Sequence, residues 1–171
     1  RGMTILAGPA RKAAGRASGL QRRGEVVPSF ADCESMSSLL RCSVIVPTRD
    51  SRQHLRNALL SVRQQEIREI EIIVVDDGSS DGTAEELSQI PGITIVSDGE
   101  NHGFLRAVHA GVAASDEEFV VLLNNDTIVT DGWLDALLLT AADPTVGVVG
   151  SMLLYPDGML QEAGSLIFSD G

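Results

Sequence analysis

Two clusters of oxygen-bearing side chains stand where apolar runs stop. Ile70-Glu71-Ile72-Ile73-Val74-Val75 gives way to Asp76-Asp77-Gly78-Ser79-Ser80, and Phe119-Val120-Val121-Leu122-Leu123 gives way to Asn124-Asn125-Asp126. A third run, Cys42-Ser43-Val44-Ile45-Val46, ends in Pro47-Thr48-Arg49-Asp50. Adjacent residues at a strand end point opposite ways, so one of Asp76 and Asp77 can face a ligand while the other braces the turn at Gly78-Ser79. A carboxylate facing a pocket can accept from a ribose hydroxyl or a base N–H. Asn124-Asn125-Asp126 offers short oxygen donors of the kind a hard divalent cation uses together with phosphate oxygens and water. Taken singly, each cluster equally fits a plain turn that caps the next helix.

What gives the clusters weight is the rhythm of elements around them. The β-branched runs read as buried strands at Cys42–Pro47, Ile70–Val75, Ile93–Val96 and Phe119–Leu123. Helical spacing separates them: Leu55, Ala58, Leu59 and Val62 after a cap at Asp50 or Ser51, a helix capped near Asp81, then Leu105, Val108 and Val112, then Leu134, Leu137 and Leu138 after Asp131-Gly132. Strands alternating with helices imply an α/β fold with an open, mainly parallel sheet and helices on both faces. Ligands of such sheets sit outside the carboxyl ends of the strands, so the three polar tips should meet on one rim. Val146–Tyr155 followed by Pro156-Asp157-Gly158 reads as a hairpin returning near Leu166-Ile167-Phe168. Phe104, Phe119 and Trp133 are expected in the core.

Composition narrows the chemistry. With 171 residues, 43% hydrophobic and 22% charged, the chain is sized for one globular domain. Residues 1–41 hold 7 Lys/Arg against 3 Asp/Glu, and the remainder holds 6 against 21, a net charge of −15. So acidic a body excludes nucleic acid as its partner. The sole lysine is Lys12, which excludes a Gly-Lys-Ser/Thr phosphate loop. Cys33 and Cys42 have neither zinc-ligand nor disulfide-framework spacing, which fits a reducing, cytoplasmic compartment. No apolar stretch approaches a membrane-spanning length. Residues 1–41, without a sustained period, read as a linker or disordered N-terminal segment.

Arg106 is the one basic residue after Arg68, and it reads equally as a contact to phosphate or base and as simple surface charge. A nucleoside diphosphate would therefore be repelled unless a divalent metal, Mn or Mg, came with it. Asp126 would hold that ion while it bridges the phosphates and stabilises the leaving diphosphate.

Taken together, Ser43-Val44-Ile45-Val46-Pro47-Thr48, Glu71 to Thr83 with its Asp76-Asp77-Gly78-Ser79-Ser80 centre, Asn101-His102-Gly103-Phe104 and Leu122 to Thr127 resemble, in order and spacing, the family 2 glycosyltransferases of GT-A fold. Leu154-Tyr155-Pro156-Asp157-Gly158 with Gln161-Glu162-Ala163-Gly164 resembles the segment that bacterial cell-surface members carry next. The resemblance implies that residues 42–171 are the nucleotide-sugar-binding part of an inverting, metal-dependent hexosyltransferase. Its acceptor would be a glycan or lipid-linked molecule, and its setting cell-envelope polysaccharide synthesis in the cytoplasm or at the inner face of the membrane. Pro47 and Thr48 would line the nucleotide pocket, and Asp77, with Asp76 beside it, would read base or ribose. Asn124-Asn125-Asp126 stands at the family's Asp-x-Asp motif, with Asp126 the metal ligand and Asn125 a ribose or diphosphate contact. Glu162 is a candidate for meeting donor sugar or acceptor. The family's carboxylate base falls on no residue here; it is expected beyond Gly171, in a truncated C-terminal part, so the chain by itself is expected to be inactive. Two other readings of the same residues are a catalytically silent nucleotide-sugar-binding module and a generic α/β interaction domain whose strand-end acids only cap helices.

Overall fold

The computed structural model describes residues 41–65 and 70–164. Residues 1–40 and the Leu166-Ile167-Phe168 stretch lie outside the described residues. Four parallel strands, β1 (Cys42–Thr48), β2 (Ile70–Asp76), β3 (Thr94–Val96) and β4 (Phe119–Leu122), form one sheet in the order β3-β2-β1-β4. Four helices alternate with them: α1 (Arg52–Arg63), α2 (Thr83–Leu87), α3 (Phe104–Ala114) and α4 (Trp133–Ala141). β1 is central, and the chain reverses its direction of growth beside it, so β1 and β4 flank the switch point of the sheet.

Period-two alternation along β1 and β2 divides the core between the two faces. Val44, Val46, Ile72 and Val74 pack with Leu55 and Leu59 of α1, Leu87 of α2 and Leu134 and Leu138 of α4. Ile45, Ile73, Val75 and Val120 point the other way and are covered by α3 through Ala107. Both faces are therefore dry, which is what lets the strands be almost wholly apolar.

Pro47 decides where the sheet opens. The β1–β2 ladder runs seven residues, to Thr48 opposite Asp76, and Asp77 N extends it by donating to Thr48 O at 3.0 Å. The β1–β4 ladder covers only four, Cys42 to Ile45, and closes with Leu123 N donating to Ile45 O at 2.9 Å. The backbone of Ile45 faces β4, and by the alternation so does Pro47, which has no N–H to donate. Beyond Ile45 the two strand ends lose their next rung and the chains part.

Several expectations are corrected by the structure. The inward face of α3 is Ala107, Val108 and Gly111, while Leu105 is 69% and Val112 40% exposed. The reason is distance: a Cβ on Gly111 would lie 2.4 Å from Ile45 Cγ2 and 3.0 Å from Val75 Cγ2, so the helix seats on the sheet by its smallest residues. Neither Asp50 nor Ser51 caps α1; Asp81, from the β2–α2 loop, accepts from Arg52 N at 3.3 Å instead. Phe119 is buried and Trp133 packs partly buried against the core, but Phe104 is 63% exposed. Among the described residues the hairpin forms from β5 (Leu153–Leu154) and β6 (Leu160–Glu162); the expected stretch near Leu166-Ile167-Phe168 lies outside them.

Two tests follow from this packing. Alanine in place of a mid-helix glycine ordinarily stabilises by about 0.5–1 kcal/mol, but Gly111→Ala is expected to destabilise by about 1–3 kcal/mol through overpacking; a rise in the urea midpoint would refute the seating of α3. Burial, and secondarily the charge of Glu117, push the Cys42 thiol up from 9.0 to about 12. The reactive thiolate is then scarce at mildly alkaline pH. In a Cys33→Ser background, Cys42 should resist iodoacetamide at about pH 8.5 until urea unfolds the chain; modification as fast as of a free thiol would contradict its burial.

Candidate functional site

The parted ends of β1 and β4 open a cleft of about 590 Å³. Pro47 and Thr48 enter it from β1, Asp77 from the end of β2, and Asn124, Asn125 and Asp126 from the segment after β4. Three separate stretches of chain thus deliver six of the nine residues singled out from the sequence. Asp76 and Arg106 are not among them. They line a neighbouring hollow of about 170 Å³ toward β3, which Asp77 and Ala107 also border.

The two adjacent carboxylates diverge as strand geometry requires. Asp76 Oδ1 accepts from Ser79 N at 3.1 Å and so braces its own turn. Asp77 is 8% exposed, and a buried carboxylate is costly unless its oxygens are bonded. Its Oδ1 accepts from His102 N at 2.7 Å and its Oδ2 from Gly103 N at 2.9 Å, just ahead of α3. These bonds use part of the four lone-pair positions, so Asp77 retains acceptor capacity toward the cleft. Gly78 makes the arrangement possible: its φ is +72°, and a Cβ there would lie 2.9 Å from the backbone carbon of Glu100.

The rims are tied to each other. Asn125 Nδ2 donates to Thr48 Oγ1 at 2.9 Å, a side-chain bridge where the β1–β4 ladder has ended. Asp50, held at φ +46°, accepts from Ser80 N at 2.7 Å and donates its own N–H to Ser79 Oγ at 3.0 Å. Beneath the Asp126 loop, buried Gln65 donates from Nε2 to Thr130 O at 3.1 Å and accepts from Leu134 N at 3.3 Å. Val129 N donates to Ser61 Oγ at 3.1 Å.

The donor set suits a hard cation. Asp126 is an exposed carboxylate at the cleft, and Asn125, its nitrogen engaged by Thr48, presents an amide oxygen. Among the described residues no group of three His, Cys, Asp or Glu forms a metal cage. An ion held here would therefore take most of its ligands from a diphosphate and water, the usual habit of Mg²⁺ with phosphates.

Of the cleft-lining residues that sequence reasoning did not assign to the site, two stand out, one cationic and one aromatic. Arg49 lines the cleft and lies 3.6 Å from Asp50. It supplies a cation that the count of basic residues after Arg68 overlooked, and its place directly after Thr48 was the available signal. Phe104 also lines the cleft with its ring largely exposed. The signal was its place directly after Gly103, one residue before helical periodicity begins to matter. Glu162 instead pairs across the hairpin with Leu153 and borders neither cavity named above.

A parallel sheet with an acid- and amide-lined cleft at its switch point is the GT-A design of nucleotide-sugar enzymes, and comparison with known proteins specifies the family. The model described as Glycosyl transferase family 2 matches residues 43–166, and the chain belongs to that family. It is 36% identical over 132 residues to the uncharacterised protein y4gI of Sinorhizobium fredii, covering 73% of this chain and 14% of that one. It is 33% identical over 136 residues to the O-antigen biosynthesis protein RfbC of Myxococcus xanthus, covering 77% and 11% respectively. Among solved structures, the mannosyltransferase PcManGT of Pyrobaculum calidifontis, in complex with GDP-Man and Mn²⁺, superposes with a TM-score of 0.62 at 28% identity, over 68% of this chain and 36% of that one. The chain thus spans only a minor part of the length of these relatives.

The Asp77 clamp can be tested without a ligand. Asp77→Ala removes the acceptor of two backbone amides and should cost about 1–3 kcal/mol, with accelerated hydrogen exchange at His102 and Gly103. Unchanged exchange at those two amides would refute the clamp.

Proposed function

We propose that the chain is the nucleotide-sugar-binding part of an inverting, metal-assisted glycosyltransferase that passes a hexose from a nucleoside diphosphate to a glycan or lipid-linked acceptor. The observation that carries this reading is the meeting of Thr48, Asp77, Asn125 and Asp126, from three strand ends, around one cleft. Family membership and the nucleotide-sugar complex of the structural neighbour support it. The relative named for O-antigen biosynthesis supports a role in building surface polysaccharide. Among the described residues no helix is long and apolar enough to cross a membrane. We assign the domain to the cytoplasm, free or at the inner face of the membrane.

In this reading each residue has a physical task. Pro47 and Thr48 form a wall of the nucleoside pocket, and Asp77 accepts from ribose or base with the lone pairs its amide partners leave over. Asp76 holds the turn that presents Asp77, and Arg106 lies on the far side of Asp77, within the same electrostatic neighbourhood. Arg49 offsets part of the repulsion between an acidic domain and a polyanion. Asp126 and Asn125, with Asn124 beside them, would hold a divalent cation. When bound, that cation supplies Lewis-acid stabilisation of the charge developing on the departing diphosphate.

Calorimetric titration of GDP and UDP into the chain, with Mn²⁺ and with EDTA, tests the proposal. At least one diphosphate should bind in the presence of the metal, and Asp126→Ala should weaken that binding by about tenfold or more, equivalent to about 1.4 kcal/mol. Flat titrations throughout, or binding indifferent to both EDTA and Asp126→Ala, would sink it.

A further inference from the structure

Only three residues, Arg49, Asp50 and Ser51, join the end of β1 to the start of α1. Arg49 and Ser51 line the cleft, and Asp50, between them, does not. Asp50 also has a φ of +46°, the one positive φ of a non-glycine residue among those described. An L-residue enters that left-handed region against a steric cost, so the surrounding structure must hold it there.

The hold comes from the loop after β2. Asp50 N donates to Ser79 Oγ at 3.0 Å, and Asp50 Oδ1 accepts from Ser80 N at 2.7 Å and from Ser80 Oγ at 3.2 Å. Two residues further on, Arg52 N donates to Asp81 Oδ2 at 3.3 Å. These bonds clasp the turn after β1 to the turn after β2 beyond the end of the strand ladder. The remaining carboxylate oxygen, Asp50 Oδ2, lies 3.6 Å from Arg49 Nε, with both side chains close to half exposed. An ion pair so open to water fixes little. Arg49 is placed by the backbone that Asp50 holds, more than by the carboxylate beside it.

The placement matters because of what else borders the cleft. Its lining contains two carboxylates, Asp77 and Asp126, against a single cation, Arg49. On an unclasped turn the guanidinium would spread over many positions, and an incoming anion would have to order it on binding. We infer that Asp50 is a positioning residue, whose left-handed turn, clasped by Ser79 and Ser80, holds Arg49 ready for the charge of a diphosphate. The inference rests on the function proposed above.

Two substitutions at Asp50 separate positioning from a bare charge effect. The carboxylate is negative and near the cleft, so its removal alone would strengthen the binding of a polyanion. Asp50→Asn removes the charge but keeps an Oδ1 acceptor and tolerance of positive φ. Asp50→Gly removes charge and acceptor together and takes up the same φ without strain, so both variants are expected to fold. The whole chain with Mn²⁺ is titrated calorimetrically with GDP and with UDP, as wild type, Asp50→Asn, Asp50→Gly, Arg49→Gln, and each Asp50 variant combined with Arg49→Gln.

For a diphosphate that binds, Asp50→Asn should match or exceed wild type in affinity, and Asp50→Gly should bind about fivefold more weakly than Asp50→Asn. In the Arg49→Gln background the two should agree within about twofold, as expected of a residue that acts through another. The gap should also narrow as KCl rises from about 50 mM to about 500 mM, since an exposed charge is screened. A merely structural clasp would make the gap depend on neither Arg49 nor salt. If diphosphates bind and the gap is absent, or persists undiminished with Arg49→Gln, the inference is overturned and the function stands. If wild type binds no diphosphate at all, both fall together.

Discussion

The missing N–H of Pro47 is the constraint on which the site depends. In a parallel sheet each strand alternates its hydrogen bonds between neighbours, so a single residue without a donor interrupts pairing on one side only. Here the interrupted side faces β4, and the β1–β2 ladder continues to Thr48 and Asp76 undisturbed. The sheet keeps its cohesion while its switch point opens at the carboxyl end. Because β1 is buried on both faces, a one-residue slip would exchange its two hydrophobic sets between opposite layers. Register is therefore not free to drift, and Thr48 is delivered to the cleft by the same packing that stabilises the domain.

Opening a sheet edge exposes backbone groups and gathers carboxylates, both of which cost free energy unless partnered. The structure meets the cost with bonds that also fix geometry. The two bonds from Asp77 to the amides before α3 satisfy a buried charge and set the position of Phe104 and Asn101 at the cleft. The bridge from Asn125 to Thr48 replaces a backbone rung with a side-chain bond of longer reach, so the strand ends stay linked at a separation wide enough for a ligand. Gln65, reaching from beyond α1 to Thr130 and Leu134, anchors the loop that follows Asp126 to the first helix. These contacts make the loops at the rim part of the folded core rather than appendages to it, which is the preorganisation a ligand site requires.

Much of this was legible in the sequence because the signals were local and periodic. β-branched runs ending in Pro, Asp-Asp-Gly and Asn-Asn-Asp mark both the strands and the end of each that carries polar groups. The rest depended on distances between elements, which no single segment encodes. Leu105 and Val112 repeat with helical spacing and yet face outward, because Ala107 and Gly111 allow closer approach to Ile45 and Val75 than a leucine stripe would. Phe104 reads as core by residue type but sits at the cleft, where its helix begins. Asp50 and Ser51 look like caps for α1, whereas the carboxylate that reaches Arg52 N comes from Asp81, 29 positions along the chain. Asp76 and Arg106 carry suitable chemistry and fall on the other side of Asp77, since β3 and α3 enclose a separate hollow there.

The proposed function asks how one carboxylate in an Asn-Asn-Asp tip would serve where an acidic pair would bind a cation more tightly. The charge balance supplies an answer. The body from residue 42 onward already carries −15, and Asp77 stands in the same cleft as Asp126. A second carboxylate beside Asp126 would raise affinity for the free ion, but it would also repel an incoming diphosphate before the ion arrived. In the proposed function, amide oxygens at Asn124 and Asn125 would coordinate a cation without adding charge. Under the proposed function a cation would then enter together with its polyanion, so that ion and nucleotide would stabilise each other in the cleft and neither would be held strongly alone.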